Sequence, residues 1–264
     1  MDRSALRSYG ILPAASQPPF DIVGDVHGCA AELRDMLSLL GYQRTEHGFV
    51  HESRRMVFVG DLVDRGPDVV GVLRDVLGMV QSGTALCVIG NHDRKLLRWI
   101  RGKQVRPGFG LAQSIEQITA LPEIERDDLV CQVAQLFERA PGYLLLDNGK
   151  LVVTHGAIRD EDIGQWNEHV AALCMFGDVI GVSAAGKPVR RDWAAARDLT
   201  GAVKRTYPRI VYGHTVVSTL KWVNRCLDLD TGFVYGGSLS ALRYPELETV
   251  QVPARAAYAA RGGR

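Results

Sequence analysis

Three times in succession this chain runs from an apolar stretch into a glycine-flanked polar turn and then into a helical pattern, and few folds accommodate that repetition. The run from Phe20 to Gly24 leads into Asp25-Val26-His27-Gly28, after which Ala30, Leu33, Met36, Leu37 and Leu40 recur at helical spacing before Gly41. The run from Met56 to Gly60 leads into Asp61, Asp64 and Arg65, and Pro67 suits the first turn of a helix predicted over 69–80. The run from Ala85 to Ile89 leads into Gly90-Asn91-His92-Asp93, with a third helix beginning at Lys95. Strand, turn and helix repeated in this way predict an α/β chain with a parallel or mixed sheet, in which ligands gather at the carboxyl ends of the strands.

Two later strands end in histidine. A hairpin around Asn148-Gly149 delivers His155, and the run from Ile210 to Gly213 delivers His214. Between the two groups, a Gly-rich and basic loop at 102–110 precedes two helices, 111–121 and 127–139, split by Pro122. They read as a helical cap insertion over 102–142. The pattern weakens over 159–200, with helical pieces at 166–176 and 193–200 and a loop between them, and alternation at 219–223, 225–229, 240–244 and 247–252 predicts a β meander. Residues 1–19, with Pro13, Pro18 and Pro19, read as a flexible lead-in, 20–253 as one catalytic domain, and 254–264 as a frayed tail. The spacing from Gly181 to Gly186-Lys187 is that of a phosphate-binding P-loop, but Pro188 stands where the Ser or Thr that holds magnesium belongs.

Composition narrows the setting. A chain of 264 residues is near the upper limit for one core, and a net charge of +1 argues against a broad nucleic-acid or membrane footprint. No apolar run approaches a membrane span and residues 1–19 lack a signal-peptide core, so a soluble cytoplasmic protein is expected. The five cysteines, 29, 87, 131, 174 and 226, are scattered and never spaced Cys-x-x-Cys, so they read as inert thiols rather than disulfides or zinc ligands.

The five turns together hold Asp25 with His27, Asp61, Asn91 with His92, His155, and His214. Of the seven histidines, four (27, 92, 155 and 214) sit in Gly-flanked turns after strands, whereas His47, His51 and His169 lack that context and read as ordinary structural residues. Carboxylate, imidazole and amide oxygen suit Mn, Fe, Zn, Ni or Co. Six candidate ligands among these seven residues exceed what one open catalytic ion needs, whereas two ions sharing Asp61 would use all six and leave room for water. Arg65 adds a planar fork of donors matched to a phosphate.

The ordered set GDVHG (24–28), GDLVDRG (60–66), GNHD (90–93), THG (154–156) and GHT (213–215) resembles the phosphoprotein-phosphatase-like, or calcineurin-like, metallophosphoesterases. The resemblance runs from about residue 20 to 253. Its finer texture, in TALCVIGNHDRKLLR, VYGHT and DTGFVYGGSLSALRYPE, is most similar to the phosphatase module of bacterial polynucleotide kinase-phosphatases and, less closely, to bacterial bis(5'-nucleosyl)-tetraphosphatases. It implies a four-layer sandwich of two mixed sheets flanked by helices, with two divalent metals, manganese first, at its edge and hydrolysis by a metal-activated water. Residue by residue, it assigns Asp25, His27 and Asp61 to one metal, Asp61, Asn91, His155 and His214 to the other, Arg65 to the phosphate, and His92, oriented by Asp64, to the leaving oxygen. The family's second arginine stays open among Arg190, Arg191 and Arg197.

Two departures matter. GNHD replaces the GNHE of eukaryotic protein phosphatases, and Val216, where many relatives have a histidine, cannot coordinate, leaving the first metal to rely on water. The kinase and ligase modules of the RNA-repair proteins are not evident here. The expected activity is hydrolysis of phosphate esters or anhydrides of nucleotides or oligonucleotide ends. A Ser/Thr or broad-specificity protein phosphatase acting on phosphoprotein is the alternative, and an inactive nucleotide- or nucleic-acid-binding module is the third reading; oligomeric state stays open.

Overall fold

The computed structural model describes residues 11–12, 17–46, 48–108, 110–199 and 207–260, so most of the expected lead-in and His47 lie outside the described residues. In chain order the first half comprises β1 (Ile11–Leu12), β2 (Phe20–Val23), α1 (Ala30–Leu39), β3 (Gln43–Thr45), β4 (Gly48–Val50), β5 (Arg55–Phe58), α2 (Val69–Gln81), β6 (Ala85–Cys87), α3 (Asn91–Ile100), α4 (Leu111–Thr119) and α5 (Glu123–Arg139). The second half comprises β7 (Tyr143–Leu146), β8 (Leu151–Thr154), α6 (Glu168–Phe176), β9 (Val179–Val182), β10 (Pro188–Arg190), α7 (Trp193–Ala196), β11 (Arg209–Tyr212), β12 (Cys226–Asp228), β13 (Asp230–Thr231), β14 (Ser238–Tyr244) and β15 (Glu248–Pro253).

The three repeats become neighbours. β2, β5 and β6 run parallel in a six-stranded sheet of order β13-β14-β2-β5-β6, with β15 on the other side of β14. A five-stranded sheet, β1-β7-β8-β11-β12, faces it. Between the sheets Phe20, Ile22, Val57 and Val59 meet Leu144, Val153, Val211 and Leu227. The opposite face of the six-stranded sheet, with Val23, Met56 and Phe58, packs against Leu33, Leu73, Leu96 and Phe137 of the helices. Tyr143, Val152 and Ile210 of the five-stranded sheet pack against Val170 and Ala194 on its outer side. Burial on both faces explains why the parallel strands read as unbroken apolar runs. The result is the expected four-layer sandwich, helices, sheet, sheet, helices.

Several local expectations are corrected. The β meander is not one: β12 joins the five-stranded sheet, parallel to β11, residues 219–223 form no strand beyond a bridge from Val223 to Cys226, and β14 pairs antiparallel with β13, β15 and also β2. Leu227 and Leu229 are buried between the sheets, and alternation cannot say which sheet a strand joins. Residues 179–190 form an exposed two-stranded ribbon with no helix after Gly186-Lys187, so the P-loop spacing carries no P-loop. Residues 11–12 pair with Tyr143-Leu144 inside the stretch expected as lead-in. The described part of the tail is fastened rather than frayed. The Tyr258 hydroxyl and the Arg255 backbone N–H donate to the buried Glu32 Oε1 of α1, at 2.6 and 3.1 Å. The insertion is helical as expected, but α5 begins at Glu123, and both its helices pack on α2 and α3.

Candidate metal centre

The carboxyl ends of β2, β5 and β6 open onto one edge of their sheet, and those of β8 and β11, also parallel, onto the matching edge of the other. Side chains separated by up to 189 residues therefore meet: the His214 N–H donates to the carboxylate of Asp25 at 3.2 Å. Close approach restricts the turns. A Cβ on Gly90 would collide with the Asp61 side chain, and one on Gly213 with that of Asp25. The turns are also conformationally unusual, because His27, Asp61, Asp64, Arg65 and His214 all adopt left-handed backbone, with φ of 45°, 48°, 74°, 69° and 73°.

Asp61 is the hub. Its Oδ2 lies 3.8 Å from His27 Nε2 and 4.0 Å from His92 Nε2, and its Oδ1 lies 3.4 Å from His155 Nε2. Two ligand triads form around it, Asp61 with His27 and His92, and Asp61 with His155 and His214. Asn91 Oδ1 is 3.0 Å from His155 Nε2, and His214 Nδ1 is 3.1 Å from the same nitrogen. His27 and His155 each place Nδ1 on a backbone carbonyl, Val63 at 2.9 Å and Val59 at 3.1 Å, which leaves both Nε2 lone pairs facing the cluster. His214 Nε2 is buried without a protein hydrogen-bond partner.

The electrostatics agree with a cation site. Burial, and then the nearby charges of Asp230, Asp61 and Asp228, push Asp25 well above the usual carboxylate range. Burial pushes His27, His155 and His214 down, with Arg65 reinforcing the first and His155 the last. Burial would raise Asp61, but His155, His92, His27 and His214 together hold it low. An ionised carboxylate among neutral imidazoles is the state in which these groups ligate metals, and carboxylates this deeply buried call for a compensating cation. The residues present thus fit divalent ions. Of the predicted ligands, Asp25 and Asn91 stand outside the triads, Asn91 against His155 and Asp25 turned onto the His214 backbone, while His92 lies closer to Asp61 than its expected role required.

His92 is fixed by a chain of hydrogen bonds. Its Nδ1 lies 2.6 Å from Asp64 Oδ2, the Ser114 hydroxyl donates to Asp64 Oδ1 at 2.5 Å, and the same hydroxyl accepts from the Asp64 N–H at 3.0 Å. The turn expected at 90–93 is in fact the start of α3, capped by Asp93 Oδ2 accepting from the Gly90 N–H at 3.0 Å. Consecutive helical residues point about 100° apart, which separates His92 from Asn91. Arg65 sits between two imidazoles, donating to His27 Nε2 at 2.5 Å and to His92 Nε2 at 2.9 Å.

Ser114 is the residue that the sequence reading missed. The available signal was a hydroxyl on the apolar stripe Leu111, Ile115, Ile118 of α4, where it is completely buried. The three open arginines separate clearly. Arg197 is tied to Asp160 in a two-pronged pair, Arg191 lies 3.6 Å from Asp178, and Arg190 rests on the Phe176 carbonyl with its charge acting on His214. His51 accepts two backbone N–H groups and His169 lies 4.0 Å from Asp162, so neither joins the centre. The buried thiols are inert, Cys174 pushed up to about 12 and Cys226 to about 11, chiefly by burial. Among the described residues no helix is long and apolar enough to cross a membrane.

Similarity to known proteins follows the same residues. The family described as calcineurin-like phosphoesterase matches residues 18–218. The chain is 43% identical to a bis(5'-nucleosyl)-tetraphosphatase (asymmetrical) of Halalkalibacterium halodurans, over 89% of this chain and 94% of that one. It is 41% identical to the protein of the same name from Bacillus subtilis, over 90% and 96%. A crystal structure named as a candidate diadenosine tetraphosphatase superposes with a TM-score of 0.64 at 25% identity, covering 93% of this chain and 97% of that one.

Proposed function

This chain belongs to the calcineurin-like phosphoesterase family, a hydrolase of phosphoric ester or anhydride bonds, and we propose that its substrate is a nucleotide anhydride of the bis(5'-nucleosyl) tetraphosphate class. The similarity to the two tetraphosphatases supports the substrate class most, and the candidate triads sharing Asp61, one of which holds His92 where this reading places Asp25, support the metal chemistry. In this reading Asp25, His27 and Asp61 hold one divalent ion, and Asp61, Asn91, His155 and His214 hold the second. An oxygen and nitrogen donor set without thiolate suits manganese, with Fe, Zn, Ni or Co as substitutes. Ions held there supply Lewis acidity to the phosphoryl oxygens and acidify the attacking water.

The chain's own residues do the rest. Arg65 presents its guanidinium fork to the phosphate and stabilises charge that builds on the equatorial oxygens. Arg190, whose charge acts on His214, is the best placed of the three open arginines to bind a second phosphate. His92 receives support at Nδ1 from Asp64 at 2.6 Å, so that its Nε2 can carry a proton to the departing oxygen.

The test is a side-by-side assay of metal-loaded protein on diadenosine tetraphosphate, a nucleoside 3'-phosphate, a 2',3'-cyclic phosphate and a phosphopeptide. Preference for the first is expected, with about two ions per chain by elemental analysis. Preference for the 3'-phosphate would return the reading to polynucleotide ends, and preference for the phosphopeptide would favour the protein-phosphatase alternative.

A further inference from the structure

Beside the centre, a cavity of about 320 Å³ opens along the loop after β11, lined by Arg190, Trp193, Tyr212, Thr215 and Lys221 among others. Its size is at the small end of ligand pockets, which run from about 300 to 1,000 Å³. One nucleoside fits that scale, and a whole dinucleoside does not. Tyr212 ends β11 two residues before His214, and Trp193 packs on it with ring centroids 4.8 Å apart. The indole stays half-buried, so part of it borders the cavity. The acidic neighbours are occupied: Asp178 is held by Arg159 at 3.0 Å and by Arg191, Asp192 caps α7 through the Ala195 N–H, and Asp228 accepts the Asp230 N–H. Arg190 has no carboxylate partner among the described residues, and Lys221 is exposed at the rim.

An aromatic wall beside two cations, reaching Thr215 next to His214, is the chemistry that recognises a nucleoside phosphate. We propose that this cavity is the nucleoside subsite, with the base against Trp193 and its own phosphates leading past Arg190 to His214. A larger cavity of about 610 Å³ lies between α2, α5 and the β3–β4 hairpin, but it contains none of the candidate residues and is crossed by the pair Arg74–Glu125. The proposal rests on the nucleotide reading above and assigns the side chain that would make the site prefer nucleotides over simple phosphates.

The test compares KM and kcat on diadenosine tetraphosphate and p-nitrophenyl phosphate for unaltered protein, Trp193→Ala and Trp193→Phe. Loss of one stacked base raises KM for the dinucleotide by roughly 5- to 100-fold relative to that for p-nitrophenyl phosphate, with kcat changing much less. Trp193→Phe, which keeps a π-face, recovers most of the difference. A second measurement needs no variant: adenosine 5'-diphosphate should inhibit p-nitrophenyl phosphate hydrolysis more strongly than inorganic pyrophosphate does. Equal inhibition by the two, or equal KM changes on both substrates, overturns the subsite while leaving the nucleotide reading intact. Turnover of p-nitrophenyl phosphate with none of any nucleotide overturns that reading, and the subsite with it.

Discussion

The two sheets bring their candidate ligands to the same edge by different means. On the six-stranded side the turns are bonded directly to one another. The Val26 and His27 N–H groups donate to the Asp61 carbonyl at 3.2 and 2.9 Å, the Gly28 N–H to the Leu62 carbonyl at 2.8 Å, and the His92 N–H to Asp61 Oδ1 at 2.9 Å. The Leu62 N–H in turn donates to Asp93 Oδ1 at 2.9 Å. On the five-stranded side, the Gly213 N–H donates to the His155 carbonyl at 2.9 Å, but the His155 turn is also hung from α6 through Gly156 and Ala157, and beyond it lie the exposed β9–β10 ribbon and the four-residue α7. Phe176, Val179, Ile180, Val182 and Val189 are all exposed there. The groups proposed to act on the phosphate, Arg65 and His92, stand on the tightly knit half. Those proposed to select the substrate, Arg190 and Trp193, stand on the loosely tied half, where residue changes disturb little else.

Asp61→Ala should produce the largest effect, since it removes the group on which both halves converge. Elemental analysis should show fewer than two ions. Activity should fall by more than the roughly 10² to 10³-fold that loss of a single transition-state donor causes. Retention of both ions and normal turnover would mean that the two halves do not share a hub.

His92→Ala comes next. With metals retained, it should lose roughly 100 to 10,000-fold on an alkyl or ribose phosphate and far less on p-nitrophenyl phosphate, whose phenolate leaves unaided. Asp64→Asn should show the same selectivity more mildly. Equal losses on both substrates would replace proton donation with charge stabilisation.

The two arginines test the division most directly. Arg65→Ala should lower kcat about 10² to 10³-fold on every substrate with metal content unchanged. Arg190→Ala should instead raise KM for polyphosphorylated nucleotides by roughly tenfold, the scale of one charged hydrogen bond. If the two variants behave alike, the halves are not functionally distinct.

Ser114→Ala should be the mildest. It removes one donor from the buried Asp64 carboxylate, worth about 1.5 to 3 kcal/mol. Thermal unfolding would read this as a Tm lowered by several degrees. An unchanged Tm would mean that the α4 contact does not support the knit half.

The same division governs what was legible in the sequence. The residues Asp25, His27, Asp61, Asn91, His155 and His214 can be singled out as candidates because each follows an apolar strand, and the chain order of β2, β5 and β6 equals their order in the sheet. Strand 226–228 reads as part of a meander because Leu227 and Leu229 alternate as any buried strand does, and nothing local distinguishes one sheet from the other. The ribbon at 179–190 reads as a loop because it buries neither face, so its residues carry no hydrophobic period. Arg190 could not be chosen over Arg191 and Arg197 for the same reason: its position depends on that ribbon. Ser114 escaped notice because a single hydroxyl in an amphipathic helix gains meaning only from Asp64, fifty positions away.

Left-handed backbone has a consequence for how such a protein can change. Of the ten described non-glycine residues in that conformation, five (His27, Asp61, Asp64, Arg65 and His214) belong to the candidate centre. Each such residue costs about 1 to 2 kcal/mol that glycine would not. The substitutions that would toughen the protein most cheaply therefore lie at positions where the side chain is proposed to bind metal or substrate. Improvement in thermal endurance has to come from elsewhere, such as the exposed ribbon, because at these five positions stability and turnover are opposing traits.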